Sequence, residues 1–328
     1  IPFLSITSLQ RLISDQVVWV NDRNPKASTR LKRCDRVRVI LPPPPSTDIP
    51  AEEIPLQIVY EDHDIIVLNK QDDIIVHPAR GNRSGTLINA LVWHFQHVSD
   101  GQLSTVGEEF ARPGVVHRLD RHTTGVMVAA KTDTAHWRLS KQFEDRRTNK
   151  RYLAVVHGEV EPLTDVIDVP LGKHPTKRGE YAVRWDDHGK SSVTIFRVRE
   201  QYEGFTLVEL ELKTGRTHQI RLHLQHLGYP IVGDDMYGGK HLKVSNLVPI
   251  GMPCDLPRTH PIIKRQALHA SLLEFDHPIS GDVSVFTAPL HEDMQQLMSL
   301  LRQYRFKSSP TVPGSVLDLD VIIPSRIN

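Results

Sequence analysis

The chain has 328 residues, of which 39% are hydrophobic and 24% charged, and its formal net charge is +1, as is typical of globular proteins. No apolar run approaches the roughly 20 residues that span a bilayer, which argues against a transmembrane helix. The first ten residues lack the basic and apolar regions of a secretory signal. Cys34 and Cys254 form neither a CxxC pair nor a disulfide framework, which favours a cytoplasmic location and argues against a thiolate zinc site.

Positive charge is concentrated at the start of the chain. Residues 1–41 contain eight Lys and Arg residues against three Asp residues, a local net charge of +5. Such a basic segment favours a polyanionic partner such as nucleic acid, although a solvated charged face is the alternative. The segment predicts a small domain with a helix over 8–15 and strands over 17–20 and 37–41.

A run of four prolines beginning at Pro42 ends this first domain, because proline continues neither a helix nor a central strand. We therefore predict a Pro-rich linker over 42–55. Residues 56–305 mix strands and helices without regular βαβ alternation. This pattern predicts an α+β domain with a mixed, mostly antiparallel central sheet flanked by helices. Residues 240–262 and 306–328 lack hydrophobic periodicity and are interpreted as an insertion loop and a C-terminal tail.

Hydrophobic periodicity predicts the elements of the larger domain. Strands are expected at 58–60, 65–68, 126–130, 152–156, 193–198 and 205–212. Helices are expected at 86–97, 132–147, 219–227 and 294–301. Thr86 is placed to cap the first of these helices, and Trp137, Leu139 and Phe143 occupy the predicted apolar positions of the second.

Familiar cofactor motifs are absent from the sequence: there is no GxxxxGK[ST], GxGxxG, GxSxG or HExxH. His218, His223 and His226 lie near one short predicted helix and raise the alternative of a metal-dependent hydrolase. Arg216 and Arg221 lie beside them, and two guanidinium groups disfavour a bound cation. We therefore expect no metal and no cofactor.

One polar segment, HRLDRHTTG at 117–125, places Asp120 between Arg118 and Arg121. The two guanidinium groups favour an ionised carboxylate, which can serve as a nucleophile or a base. From these residues alone, a structural ion pair that fixes a turn is the stronger alternative.

Two further segments combine basic residues with turns or an aromatic ring. TGRTHQIRLH at 214–223 supplies arginine side chains, whose planar forks suit phosphate or carboxylate. Lys150 and Arg151 precede Tyr152, the combination that base stacking beside a phosphate backbone requires. A capped helix start and a core tyrosine are the respective structural alternatives.

Together these segments resemble the RluA/RluD family of pseudouridine synthases over about residues 56–303. The matching pieces are HRLDRHTTG (117–125), KRYLAVVHG (150–158) and TGRTHQIRLHLQHLGYPIVGDDMYGG (214–239), joined by segments at 69–91 and 265–270. Within the family, RGNRSGTL and the preceding basic segment are most similar to the RluD-like branch. Residues 8–41 resemble the later part of the small alpha-L RNA-binding motif. The family's usual NKPxG segment is replaced here by Asn69-Lys70-Gln71-Asp72-Asp73, which alters that turn.

The resemblance implies that uridine in RNA is isomerised to pseudouridine without a cofactor or metal. Asp120 matches the essential aspartate, whose role as nucleophile or base the sequence leaves open. Tyr152 matches the tyrosine that packs on the target base, Arg221 the basic residue that pairs with the carboxylate, and Arg118 the arginine that fills the space of the flipped-out uridine. The expected RNA-binding residues are His117, Arg118, Arg121, Lys150, Arg216, His218 and Arg83.

Members of the RluD-like branch modify large-subunit ribosomal RNA, which is therefore the expected substrate. Transfer RNA is the alternative substrate. A non-catalytic RNA-binding or ribosome-assembly protein on the same fold is the alternative function, and a monomer is the expected state. The presence of Asp120, Tyr152 and Arg221 favours the enzyme.

Overall fold

A computed structural model describes residues 10, 12–40, 49–77, 84–106 and 113–323. The chain divides into two compact units, residues 1–48 and 49–328. Across the described ranges, no helix is both long and apolar enough to cross a membrane.

The small unit contains one two-stranded antiparallel sheet. Strands β1 (Val18–Val20) and β2 (Val37–Val39) pair with Trp19 opposite Arg38. Residues 12–14 are helical and agree with the predicted helix, whose first residues lie outside the described part of the chain. Leu12 is buried here, whereas most described side chains of the unit are exposed.

The large unit contains the other strands and all the named helices. The strands are β3 (Ile58–Glu61), β4 (Ile65–Lys70), β5 (Thr124–Ala130), β6 (Asn149–His157), β7 (Thr164–Asp168), β8 (Leu171–Lys173), β9 (Tyr181–Val183), β10 (Val193–Tyr202), β11 (Phe205–Leu212), β12 (Leu242–Lys243), β13 (Pro261–Ile263), β14 (Leu268–Asp276), β15 (Val283–Thr287) and β16 (Phe306–Ser308). The helices are α1 (Leu87–His97), α2 (Asp133–Glu144), α3 (Gln219–His226), α4 (Val244–Leu247), α5 (Glu292–Tyr304) and α6 (Leu319–Ile322).

Ten of these strands form one sheet, and eight of them follow the order β16-β10-β11-β6-β14-β5-β4-β3. β7 also pairs with β10, and β15 also pairs with β14. Every pairing is antiparallel except that of β14 with β5. The predicted class, α+β with a mixed and mostly antiparallel sheet, is confirmed. The short pairs β8–β9 and β12–β13 lie outside this sheet.

The parallel contact between β14 and β5 depends on Gly125. Its φ is +117°, and a Cβ atom at this position would lie 2.2 Å from the carbonyl oxygen of Ala270. Only glycine permits both the backbone conformation and the close approach. The sheet thereby fixes the point at which the preceding loop, residues 117–123, joins β5.

Thr86 caps α1 as predicted, because its side chain accepts a hydrogen bond from the backbone N–H of Asn89. The expected apolar position of Trp137 on α2 is wrong, since 64% of this side chain is exposed. The buried positions of α2 are Ala135, His136, Leu139 and Gln142, whose helical spacing leaves Trp137 on the outer face.

Three segments that were expected to lack regular structure or core contacts have them. The predicted tail begins with β16, which pairs with β10, and continues into α6, where Ile322 enters the core. The predicted insertion loop contains β12 and α4. In the predicted linker, residues 42–48 lie outside the described part, whereas Ile49 and Ile54 pack against the large core. In these segments the apolar contacts are made by isolated residues. Isolated apolar residues produce no hydrophobic periodicity, so the sequence did not predict the contacts.

Candidate active site

A cavity of about 480 Å³ lies on the large unit where the loop before β5 meets the start of α3. Its volume falls within the range of small-ligand sites, about 300–1,000 Å³. Asp120, Tyr152 and Arg221 all line it. So do five of the expected RNA-binding residues: His117, Arg118, Lys150, Arg216 and His218.

Asp120 presents one paired and one unpaired carboxylate oxygen. Its Oδ2 lies 3.3 Å from Nη1 of Arg221 and 3.8 Å from Nε2 of His218. Its Oδ1 accepts no hydrogen bond from any described residue, and 21% of the side chain is exposed at the cavity. The carboxylate is therefore held on one side and available to a ligand on the other.

Arg221 is a buried cation fixed by a second carboxylate. Its Nε and Nη2 donate to the two oxygens of Asp234 at 2.6 and 2.7 Å, which leaves Nη1 for Asp120. The guanidinium group also lies 4.8 Å from the ring centroid of Tyr237. Burial opposes its charge, but the bonds to Asp234 and the charge of Asp120 prevail and raise the pKa of Arg221. Asp120 thus faces a permanent positive charge.

His218 precedes α3 in the left-handed conformation, with φ of +57°. Its Nδ1 lies 2.7 Å from the hydroxyl oxygen of Tyr237, which also accepts the backbone N–H of Tyr181 at 3.2 Å. Burial lowers the pKa of His218, although the charge of Asp120 partly opposes this effect. A neutral His218 that accepts the Tyr237 proton carries its own proton on Nε2, the atom nearest Asp120.

Tyr152 provides an uncharged aromatic wall. It lies on β6, opposite Leu210 of β11 and Ala270 of β14, so the sheet holds it from both sides. Only 8% of the residue is exposed. Burial and the nearby Asp120 raise the pKa of its hydroxyl, which therefore remains protonated at neutral pH.

Two buried basic side chains anchor the backbone that follows Asp120. Nζ of Lys70 donates to the carbonyl oxygen of Arg121 at 2.9 Å, and Nη1 of Arg265 donates to that of His122 at 3.0 Å. Burial lowers the pKa of Lys70 to about 7. β4 and the segment before β14 therefore hold the Asp120 loop from separate sides.

The profile of the family described as RNA pseudouridylate synthase matches residues 64–226. The "Uncharacterized RNA pseudouridine synthase YlyB" of Bacillus subtilis is 40% identical over 91% of this chain and 90% of its own length. The "Ribosomal large subunit pseudouridine synthase D" of Haemophilus influenzae is 38% identical over 92% of this chain and 88% of its own length. The chain belongs to the RNA pseudouridine synthase family.

A solved structure supports the same assignment. The chain is similar to "Human RNA Pseudouridylate Synthase Domain Containing 4" with a TM-score of 0.56 and 25% identity, over 75% of this chain and 93% of that one. The predicted family, fold class and activity as an RNA pseudouridine synthase are thus confirmed.

Two residues expected to bind RNA in this pseudouridine synthase also have contacts within the protein. Nε2 of His117 accepts the backbone N–H of Val128 at 3.0 Å, and burial lowers the pKa of His117 to about 3. Arg121 does not line the cavity, and its Nε donates to Asp73 at 2.6 Å on the surface. Arg83 lies outside the described residues.

Three other expected RNA-binding cations have no carboxylate partner among the described residues. Arg118 is exposed at the cavity. Lys150 lies 5.7 Å from the ring centroid of Phe143, and burial lowers its pKa. Arg216 donates through Nε to the carbonyl oxygen of Ser191 at 3.3 Å. Their positive charge is not neutralised by the described part of the protein.

The sequence reasoning missed Asp234 and Tyr237, although both lie in the matching segment GDDMYGG. The signal available in the sequence was an acidic residue close to Arg221, the arginine expected to pair with the carboxylate of Asp120. His223, a candidate metal ligand, is buried between the hydroxyl of Thr194 at 2.9 Å and the carbonyl oxygen of Val169 at 3.0 Å. The described ranges contain no group of three or more His, Cys, Asp or Glu residues that could hold a metal ion.

Proposed function

We propose that this pseudouridine synthase isomerises specific uridines of large-subunit ribosomal RNA, with Asp120 as the catalytic residue. The single observation that supports this role most strongly is its half-paired carboxylate. Arg221 donates to one oxygen, while the other oxygen accepts no hydrogen bond from the described residues, and Asp120 lines the cavity. Both attack on C1′ and removal of a ribose proton require such an ionised, accessible carboxylate.

Arg221 holds the Asp120 carboxylate in a fixed orientation during the reaction. The bidentate contact with Asp234 prevents the guanidinium group from turning away, so only Nη1 faces Asp120. The guanidinium group is already in place when the C1′–N1 bond breaks, so the site does not have to reorganise. The isomerisation is complete when C5 has bonded to C1′ in place of N1, C5 has released its proton and N1 has taken one up.

Tyr152 and Arg118 act on the base and on the space it leaves. A uridine in a stem must leave its stack, which costs a few kcal/mol. Tyr152 offers a rigid aromatic surface to the flipped base, and the exposed Arg118 fills the vacated position in the RNA. Lys150 and Arg216 are placed at the same cavity to neutralise phosphate.

The choice of ribosomal RNA is supported by the relatives. Those of Haemophilus influenzae and Pseudomonas aeruginosa are both described as "Ribosomal large subunit pseudouridine synthase D". The basic residues 1–41 form an additional RNA-binding module in this proposal. The protein acts in the cytoplasm as a monomer and without a metal.

Mapping of pseudouridine tests this function. Purified protein is incubated with unmodified transcripts of large-subunit ribosomal RNA and with unmodified transfer RNA. We expect new pseudouridine at discrete positions of the ribosomal RNA alone. Modification of the transfer RNA alone would replace the substrate. Binding of RNA without modification of either RNA would favour the non-catalytic alternative.

A further inference from the structure

A second cavity, of about 670 Å³, adjoins the Asp120 cavity. The β8–β9 hairpin and the loop before β10 form most of its walls. Residues 215–217 line both cavities and separate them. We refer to this second cavity as the hairpin groove. None of the residues assigned above to the reaction, other than Arg216, lines it.

The hairpin groove is positively charged. Lys173, Lys190 and Arg216 line it, and none has a carboxylate partner among the described residues. Arg184 also lines the groove but is neutralised by Asp186. Asp187 is the one acidic side chain among the described residues that line it. A groove with three unneutralised cations is suited to a polyanion.

Tyr181 adds an aromatic surface to the hairpin groove. It is partly exposed, and its ring meets that of His218 edge-on with centroids 5.6 Å apart. Its backbone N–H donates to the hydroxyl oxygen of Tyr237 at 3.2 Å. Tyr181 is therefore fixed relative to the histidine that approaches Asp120. Aromatic rings between cations are the usual platform for unpaired bases.

We infer that the hairpin groove binds the RNA strand next to the target uridine, with phosphates at Lys173, Lys190 and Arg216 and an unstacked base on Tyr181. This inference rests on the proposed function. The neighbours of a uridine in the Asp120 cavity are covalently joined to it and must lie along its rim. Residues 215–217 form part of that rim and also the wall of the groove.

Salt-dependent RNA binding tests the cationic part of the inference. The affinity of the Lys173→Ala/Lys190→Ala variant for a large-subunit ribosomal RNA transcript is measured across a range of salt concentrations. Each lost single-strand phosphate contact removes about 0.7 from the slope of log K against log salt, so we expect a decrease of about 1.4. The affinity at fixed salt should fall roughly tenfold, while kcat at saturating RNA stays unchanged.

The matched control is Lys141→Ala/Lys307→Ala, which also removes two exposed lysines. These lysines line neither cavity and pair with Asp145 and Glu159. We expect the wild-type affinity and slope. Equal losses in the groove variant and the control would mean a general charge effect and would overturn the inference.

Stacking on Tyr181 has a different signature. Tyr181→Leu removes the ring and should weaken binding about tenfold without a change in the salt slope, whereas Tyr181→Phe should bind as the wild type does. Wild-type binding by all groove variants would overturn the inference and point to another occupant, such as an acidic peptide. The binding measurements do not require turnover. An inactive wild type would therefore contradict the proposed function, whereas the groove inference would still be decided by the binding of the variants.

Discussion

Two buried clusters of arginine and carboxylate lie in the large unit, and they differ in how completely their acids are paired. The Asp120 cluster consists of Asp120, Arg221 and Asp234. The sheet cluster consists of Arg151, Arg197, Arg199, Glu209 and Glu211 on β6, β10 and β11. Both combine charges that are costly to bury alone.

In the sheet cluster, both oxygens of Glu209 are occupied. Arg199 and the backbone N–H of Leu317 donate to Oε2, and the backbone N–H of Val316 donates to Oε1 at 3.1 Å. Glu209 is fully buried. In the Asp120 cluster, Oδ1 of Asp120 accepts no hydrogen bond from the described residues, and Asp120 lines a cavity. We propose that this unpaired oxygen makes Asp120 the reactive acid, whereas Glu209 has a structural role.

Loss of Arg221 should have the largest effect on stability, because it removes both the partner of Asp120 and that of buried Asp234. We expect Arg221→Ala to lower the free energy of unfolding by about 3–5 kcal/mol and kcat by about 10³-fold. Urea titration and single-turnover assays measure the two effects. The double variant Arg221→Ala/Asp234→Ala should regain stability but not activity. Recovery of activity would refute the role of Arg221 at Asp120.

Glu209→Gln should show the opposite pattern. It leaves the arginines of the sheet cluster partly unpaired and should lower the free energy of unfolding by about 3 kcal/mol. Because Glu209 does not line the cavity, kcat at a temperature where the variant is folded should remain within about twofold of wild type. A large decrease in kcat in the folded variant would mean that the two clusters are coupled.

Acid should destabilise the protein through His269. This histidine is fully buried between the hydroxyl of Thr124 and the carbonyl oxygen of Ala288, and burial lowers its pKa to about 3. The unfolded chain binds the proton near pH 6.5, so His269 reduces stability progressively as the pH falls from 6.5 towards 3. Between pH 7 and 5 the loss should be about 2 kcal/mol. In His269→Gln, urea titrations should show this part of the pH dependence removed; an unchanged dependence would contradict the assignment.

Arg121→Ala should have the smallest effect on stability. Its partner Asp73 is largely exposed, as is Arg121 itself, and such surface pairs contribute less than about 1 kcal/mol. Thermal or urea unfolding measures the change. A loss of several kcal/mol would show that Arg121 anchors the loop as strongly as Lys70 does.

The sequence predicted the residues that line the cavity better than the buried residues that hold them in place. HRLDRHTTG and the later motif identified Asp120 and Arg221, which the structure brings to one cavity, because their chemistry is concentrated in short segments. It did not predict Asp234 as the partner of Arg221, since a contact across 13 residues depends on the path of the chain after α3. The contact between Arg121 and Asp73 likewise joins residues that are distant in the sequence, and the sequence did not predict it. The roles of Asp120 and Arg221 in catalysis, and of Arg121 in RNA binding, stay predictions.

The C-terminal segment shows a second limit of sequence reasoning. Its polar contacts to the sheet cluster come from backbone groups of Pro313, Val316 and Leu317. Backbone donors and acceptors have no residue signature, so an aperiodic sequence was interpreted as a tail although it covers buried charges.

The most direct test of the distinction between the clusters is the single-turnover rate of Asp120→Asn on saturating large-subunit ribosomal RNA, with its free energy of unfolding measured in parallel. Asparagine keeps the shape of the side chain but removes the charge. We predict no detectable pseudouridine and an unfolding free energy within about 1 kcal/mol of wild type, because one oxygen of Asp120 has no partner to lose. Pseudouridine formation near the wild-type rate would contradict the account.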